Sequence, residues 1–266
     1  MAQLEVVNHD GIAVVTIDGP DGYMNFDTVQ ELETVSRGLA EDPGVRVVVL
    51  TGARDDVFIR HYDVRELEEM SAHLRQRGLR FSAENPVMRE REIDQLFARF
   101  AAMPQPVIAA INGTAMGGGF ETCLACDLRI ARRGDFALGL PEVNLGILPG
   151  AGGTQRLARL VGQARALEMA MRGRTVDPEE ALALGLVHEV TDGPPLARAM
   201  EIGREFLAKS PRAVAHIKRL IRQEAAGPLQ DGLVMERTLF LDLLVSDEGL
   251  ERMQRMNRDD LDIREV

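Results

Sequence analysis

The sequence predicts an α/β protein in which roughly the first two thirds alternate strands with helices and the remainder is helical. Three observations carry this. The runs at residues 45–50 and 107–111 are almost uniformly apolar and rich in β-branched residues, as in strands covered on both faces. Val29, Leu32, Val35 and Leu39 recur every three or four positions, as on one face of a helix. Beyond the loop at residues 141–153, every segment reads as helix.

In chain order, residues 4–7 and 12–17 form a hairpin around the polar, glycine-containing break at residues 8–11. The helix that begins at Asp27 stops at Pro43 and Gly44, and the strand at residues 45–50 turns at Thr51 and Gly52. Residues 64–103 are rich in Arg and Glu with scattered apolar positions, which predicts exposed helices broken near Gly78 and near Asn85 and Pro86. After the buried strand at 107–111, Gly117, Gly118 and Gly119 lead into a helix, and strand character resumes at residues 128–131. Asp177, Pro178 and Glu180 supply an N-cap, a first-turn proline and a capping acid for a helix that Gly185 closes. Ser210 and Pro211 open another in the same way. No repeat of fixed period is visible.

With 45% hydrophobic and 27% charged residues, the 266-residue chain has the composition of a globular protein that buries a core. No segment approaches the roughly 20 apolar residues of a membrane span. The chain runs from Met1 straight into a strand-like segment without a leader pattern, so a cytoplasmic location is expected. A net charge of −11 disfavours nucleic-acid partners. The only cysteines, Cys123 and Cys126, form a lone C-x-x-C without the further ligands zinc needs, so buried reduced thiols and no metal are expected.

Two segments offer chemistry. In AAINGTAMGGGFE, residues 109–121, a buried strand ends in a turn and glycines precede a helix. Such glycines admit a ligand close to the backbone, and the unpaired N–H groups of a helix start face negative charge. The plainer alternative makes the glycines a tight turn and Glu121 a first-turn acid that complements the helix dipole, worth about a few tenths of a kcal/mol. In LGLPEVNLGILPGAGG, residues 138–153, Glu142 follows Pro141 inside an apolar, glycine-rich loop. Apolar surroundings raise a carboxyl pKa and suit it to proton transfer. A solvated surface glutamate is the alternative there.

Together, VIAAINGTAMGGGFE, CDLRIA and LGLPEVNLGILPGAGGTQRL resemble the enoyl-CoA hydratase and isomerase (crotonase) superfamily. Weaker likeness continues through IDGPDGYMNFDTVQEL and VRVVVLTG on one side and RGRTVDPEEALALGLVHEV on the other. The resemblance implies a crotonase-type spiral of ββα units over residues 1–195, then a helical segment at 196–266 that packs neighbouring subunits into a trimer or dimer of trimers. It implies an acyl thioester of coenzyme A as substrate and no separate cofactor. The backbone N–H groups of Gly118 and Tyr62 would bind the thioester oxygen, and in such sites a preorganised donor lowers the barrier by about 3 to 4 kcal/mol. Glu121 would activate the water that attacks C3 of a 2-enoyl thioester, and Glu142 would serve the proton at C2. Gly150 lies where the family approaches the water. Met24, Arg60, Asp63, Val64 and Arg65 flank the expected groove with Pro141, Arg65 at a position where relatives place a cation near the nucleotide phosphates. A solvated helix-face charge is the alternative for Arg65.

The sequence departs from the family pattern at Phe58, Ile59, Arg60, His61, Tyr62 and Asp63, where small residues and a glycine are usual. His61 in place of glycine restricts the backbone, and Tyr62 enlarges the side chain beside the thioester, which points to an altered substrate choice within the same reaction class. Leu140 stands where glutamine is common, and Met253 and Met256 stand where some relatives place an aromatic and a lysine. The segment at 66–103 is longer than in compact hydratases, as a modified lid would be. Keeping both acids favours hydration over the isomerase, hydrolase and non-catalytic binder alternatives.

Overall fold

The computed structural model describes residues 3–222 and 227–259. Strands β1 (Leu4–His9) and β2 (Ile12–Ile17) pair antiparallel from Leu4 opposite Ile17 to His9 opposite Ile12. Asp10 (φ 51°) and Gly11 (φ 101°) close the hairpin with positive φ at both central positions, the combination that matches strand twist. Helix α1 (Phe26–Glu41) starts at a capping box, in which the Asn25 side chain accepts from the Thr28 N–H and the Thr28 hydroxyl accepts from the Asn25 N–H.

From there the chain winds in a spiral. β3 (Val47–Gly52) and β4 (Val57–Ile59) lead to α2 (Val64–Gln76) and α3 (Glu92–Ala102). β5 (Val107–Ile111) and β6 (Thr114–Met116) lead to α4 (Gly118–Ala125). β7 (Leu128–Arg132) and β8 (Leu138–Gly139) lead, through a 3-10 turn at Glu142–Leu145, to α5 (Gly153–Val161). Each turn thus adds one strand to each of two sheets and then a helix. After α6 (Gln163–Arg172), β9 (Thr175–Val176), α7 (Pro178–Ala183) and β10 (Glu189–Thr191), four helices follow among the described residues: α8 (Pro195–Leu207), α9 (Pro211–Arg222), α10 (Leu229–Leu244) and α11 (Asp247–Asp259).

The larger sheet has the order β1-β2-β3-β5-β7-β10, parallel except for the opening hairpin, and the smaller has β4-β6-β8-β9. Where the chain leaves one sheet for the other, its turns nearly touch: a Cβ on Gly113 would lie 1.9 Å from the Asp56 carbonyl carbon. Asn112 pins these turns together. Its amide donates to the Gly52 and Val57 carbonyls, and its Oδ1 accepts from the Gly52 N–H at 3.0 Å. Buried side chains fill the space between the sheets and α1, α3 and α4, while α8 covers the other face of the larger sheet with Ala199 and Ile202 against Ile12, Val47 and Ile108.

Two expectations are corrected. Helix α3 is not an exposed helix: Ile93, Leu96, Phe97 and Phe100 are buried against the core, at the spacing of one helix face, which the surrounding Arg and Glu residues conceal in the sequence. The chain beyond residue 153 is not wholly helical either, because β9 pairs with β8 and β10 with β7. Strands of two and three residues are too short to show an alternating pattern and are set by the partner strand. Both cysteines are buried and free, as expected.

Helix α9 is anchored by Lys218, whose ammonium reaches the Phe100 and Gln105 carbonyls at 2.8 Å and Asp127 at 2.7 Å, and by Arg222, which donates to Asp127 and the Cys126 carbonyl. Elsewhere the carboxy-terminal helices leave Ile217, Ile221, Val234, Phe240, Leu241 and Val245 exposed. No helix among the described residues is long and apolar enough to cross a membrane.

Candidate active site

Glu121 is the fourth residue of α4, and its side chain does more than complement the helix start. The residue is 3% exposed, and Oε1 accepts from the Ala151 N–H at 2.8 Å and the Gly153 N–H at 2.7 Å. Burial pushes its pKa up; the two N–H bonds and the charges of Arg156 and Arg91 oppose that shift without cancelling it.

Glu142 opens the 3-10 turn after β8 and stands beside the glycine run. A Cβ on Gly117 would lie 3.2 Å from its Oε1, and Oε2 is buried without a hydrogen-bond partner. Burial first, and the neighbouring charge of Glu121 second, raise its pKa from 4.5 to about 7. The folded value exceeds the unfolded one, so the contribution of this group to stability is complete below pH 4.5 and lost as pH rises to about 7. Glu142→Gln should therefore be near neutral at pH 4.5 and stabilising at pH 8. With allowance for partial solvent screening the gain is about 1 to 2 kcal/mol, read from urea unfolding at the two pH values.

Tyr62 and Gly118 present main-chain donors side by side. Met24 and Tyr62 form a parallel bridge in which the Met24 N–H donates to the His61 carbonyl and the Asp63 N–H donates to the Met24 carbonyl. The Tyr62 N–H belongs to the same peptide as that His61 carbonyl and points the opposite way, away from Met24. A Cβ on Gly118 would lie 3.6 Å from the Tyr62 nitrogen. Gly118 is the first residue of α4, where N–H groups have no intrahelical acceptor.

The unusual residues before Tyr62 fit without distortion. Among the described residues only Asp10 and Asp21 adopt positive φ without being glycine, so the conformation at His61 requires none. His61 Nδ1 lies 2.7 Å from the Tyr62 carbonyl, which can only accept, so Nδ1 carries the proton. Its ring packs on Tyr23 with centroids 4.7 Å apart. The Tyr62 hydroxyl donates to Glu66 at 2.8 Å, and the same carboxylate oxygen accepts from the Phe26 N–H at 2.9 Å, which fixes the phenol over the site.

These groups border a cavity of about 620 Å3. Of the residues nominated from the sequence, Tyr62, Val64, Gly118, Glu121, Pro141, Glu142 and Gly150 lie on its wall, with Leu67, Met70, Ile93, Leu145, Ile147 and Leu148 supplying apolar surface. Four other nominated residues lie off the wall. Met24 is wholly buried and acts through its backbone. Asp63 caps α2 by accepting from the Arg65 N–H, and Arg65 closes on the same carboxylate. The guanidinium groups of Arg60 and Arg65 flank the Tyr23 ring at 5.7 and 5.9 Å from its centre. Sequence reasoning missed Glu66, Arg91 and the N–H groups of Ala151 and Gly153. Arg91 and Glu66 lie in the stretch whose many charges conceal individual roles, and the backbone donors carry no side-chain signal. Among the described residues no group of three or more His, Cys, Asp or Glu is placed to hold a metal ion.

The model of the enoyl-CoA hydratase/isomerase family matches residues 8–258. The chain belongs to that family. Curated relatives of this hydratase/isomerase family member include the short-chain-enoyl-CoA hydratase of Clostridium acetobutylicum, 34% identical over 91% of this chain and 89% of the relative. Among solved structures, the enoyl-CoA hydratase of Bacillus anthracis is 32% identical, covers 97% of both chains and superposes with a TM-score of 0.84. Pseudomonas aeruginosa DspI is 31% identical, covers 97% of this chain and 95% of its own and superposes at 0.85. The protein is thus a crotonase-superfamily enzyme, and its spiral is the crotonase fold.

Proposed function

We propose that the enzyme adds water across the 2,3 double bond of a 2-enoyl-CoA thioester. The observation that carries this reading is the convergence of two carboxyl groups of unequal environment and two unpaired backbone N–H groups on one apolar cavity. The thioester oxygen accepts from the Tyr62 and Gly118 N–H groups, which stabilise the enolate-like charge as it forms. Glu121 has Oε1 occupied by Ala151 and Gly153, which leaves Oε2 to take a proton from the water attacking C3. Glu142, with a pKa of about 7, gives its proton to C2. Gly150, on the cavity wall, is assigned to contact the water, while Arg60 and Arg65, which flank the Tyr23 ring, are assigned to the nucleotide phosphates. A panel of 2-enoyl-CoA thioesters tests this: hydration abolishes the conjugated thioester absorbance and yields a product heavier by one water. A product of unchanged mass would make the enzyme an isomerase, and free coenzyme A would make it a hydrolase.

The pinned phenol of Tyr62 narrows the acyl side of the cavity. Tyr62→Ala is expected to shift kcat/KM toward longer or branched acyl groups by about tenfold, because filling or opening apolar volume is worth roughly 1 to 3 kcal/mol. An unchanged preference across the panel would remove Tyr62 from substrate selection.

The same reading includes a cytoplasmic enzyme and a homotrimer or dimer of trimers built through the exposed apolar residues of α9, α10 and α11. Light scattering coupled to size exclusion should return three or six times the chain mass; a monomer would refute the assembly.

A further inference from the structure

The loop that supports Glu121 is itself gripped from behind. A trans peptide carries its carbonyl and N–H on opposite edges, so a group that holds the carbonyl aims the N–H. The Gly150–Ala151 peptide gives its N–H to Glu121 Oε1 and its carbonyl to Arg91 Nη2. The Ala151 carbonyl accepts from Arg156 Nη1 at 2.7 Å, and the next peptide returns the Gly153 N–H to Glu121 Oε1. Arg156 comes from α5, in the same stretch of chain. Arg91 comes from ahead of α3, 59 residues from Gly150. It is held there by Asp94, whose carboxylate takes Nε at 2.9 Å, Nη2 at 2.7 Å and the Arg91 N–H at 3.0 Å.

We propose that Arg91, clamped by Asp94, is a positioning residue for Glu121: by holding the Gly150 carbonyl it keeps the Ala151 N–H on Oε1 and the other carboxylate oxygen turned to the cavity. The effect on turnover rests on the hydratase reading above, whereas the effect on Glu121 itself does not. The charged groups that face Glu121 are Arg156 from α5, Arg91 ahead of α3 and Glu142 from the 3-10 turn. Of these, Arg91 alone comes from the segment between β4 and β5, so that segment places a cation and a backbone clamp beside an acid on a different turn of the spiral. The guanidinium fork matters as well as its charge, since one arm binds Asp94 and Gly150 together.

The test uses full-length Arg91→Gln, Arg91→Lys and Asp94→Asn, with two readouts. The first is hydration of 2-enoyl-CoA as a function of pH. Arg91→Gln should lower kcat by about 10- to 100-fold, the size expected for misplacing a reacting group, with little change in KM. Its acid limb should move to higher pH, because Glu121 is harder to ionise without the cation, and Arg91→Lys should recover part of the loss. The second readout is the carbon-13 resonance of the Glu121 carboxyl in glutamate-labelled protein, assigned by its disappearance in Glu121→Gln, which needs no turnover. It should titrate at higher pH in Arg91→Gln and, by a smaller step, in Asp94→Asn. A kcat and pH profile equal to wild type, a rise in KM alone, or an unshifted Glu121 titration would each overturn the proposal. If Arg91→Gln does not fold, Asp94→Asn decides it by the same two readouts. A wild-type protein that hydrates no enoyl-CoA would refute the hydratase reading instead, and the Glu121 titration would still decide the role of Arg91.

Discussion

Glu121→Gln is expected to lower kcat for hydration by about 10²- to 10⁴-fold, the range that a positioned general acid or base supplies. The amide keeps an oxygen for the Ala151 and Gly153 N–H groups, so the loop at 141–153 should hold and KM should change little. What disappears is the oxygen that, in the proposed mechanism, takes the proton of the attacking water. Glu142→Gln should cost about as much, because C2 then has no donor, and the double variant should be little worse than either single one, as for groups that act as a unit. The proposed mechanism requires Glu142 protonated and Glu121 ionised, so kcat should fall as pH rises through about 7. Dehydration of the 3-hydroxyacyl thioester needs the opposite protonation states and should gain over the same interval. The two carboxyls interact, so the limbs of both profiles belong to the pair. Substantial hydration by either single variant, with native circular dichroism, would remove that residue from the reaction.

Gly117→Ala should reduce kcat by about 10²- to 10³-fold, comparable to losing a donor from an oxyanion site, while the fold survives. Gly117 holds φ 49° and ψ −127°, a combination closed to residues with a Cβ. It also links the parts of the site. Its N–H donates to the Gly139 carbonyl, its carbonyl accepts from the Glu121 N–H, and an added Cβ would meet the Glu142 carboxylate. Relief of the strain therefore moves the start of α4, and with it the Gly118 donor and both acids. Gly185→Ala is the control: φ is 76° there, yet no atom lies within 4 Å of the added carbon. That variant should lose stability of order 1 kcal/mol with kcat unchanged. If Gly117→Ala retained wild-type kcat, the geometry at the start of α4 would not govern the reaction.

The parts of this site that were legible in the sequence are those written by local chemistry. A triple glycine between a buried strand and a helix announces a backbone that must be approached closely, and an acid inside an apolar loop announces a raised pKa. Glu121 and Glu142 could each be found on those grounds, and the family-like order of the two segments joined them. Tyr62 was nominated only through resemblance, since nothing about a tyrosine points to its N–H as a candidate donor. Arg91 and Glu66 were not found. Each forms bonds to residues 59 and 40 positions away, and in a segment full of Arg and Glu the paired ones look like the solvated ones. Helix α3 was misread for a related reason: its apolar face is present at residues 93, 96, 97 and 100, but the charged residues of the segment dominate the local composition.

The sequence by itself determined the α/β class, the buried strands and the nomination of the two acids, because these depend on neighbours within a few residues along the chain. Tertiary structure decided the rest. It made β9 and β10 strands by offering β8 and β7 edges to pair with, and it displays the spiral that the resemblance implied but that the long segment between β4 and β5 hides from any search for a fixed period. It turned the Tyr62 N–H away from Met24 by tying its peptide carbonyl to that residue, and it set Glu142 beside Gly117 and Glu121 beside Ala151. The physical reason is that backbone donors are identical in every residue. Their direction and burial arise only when distant segments close on one another.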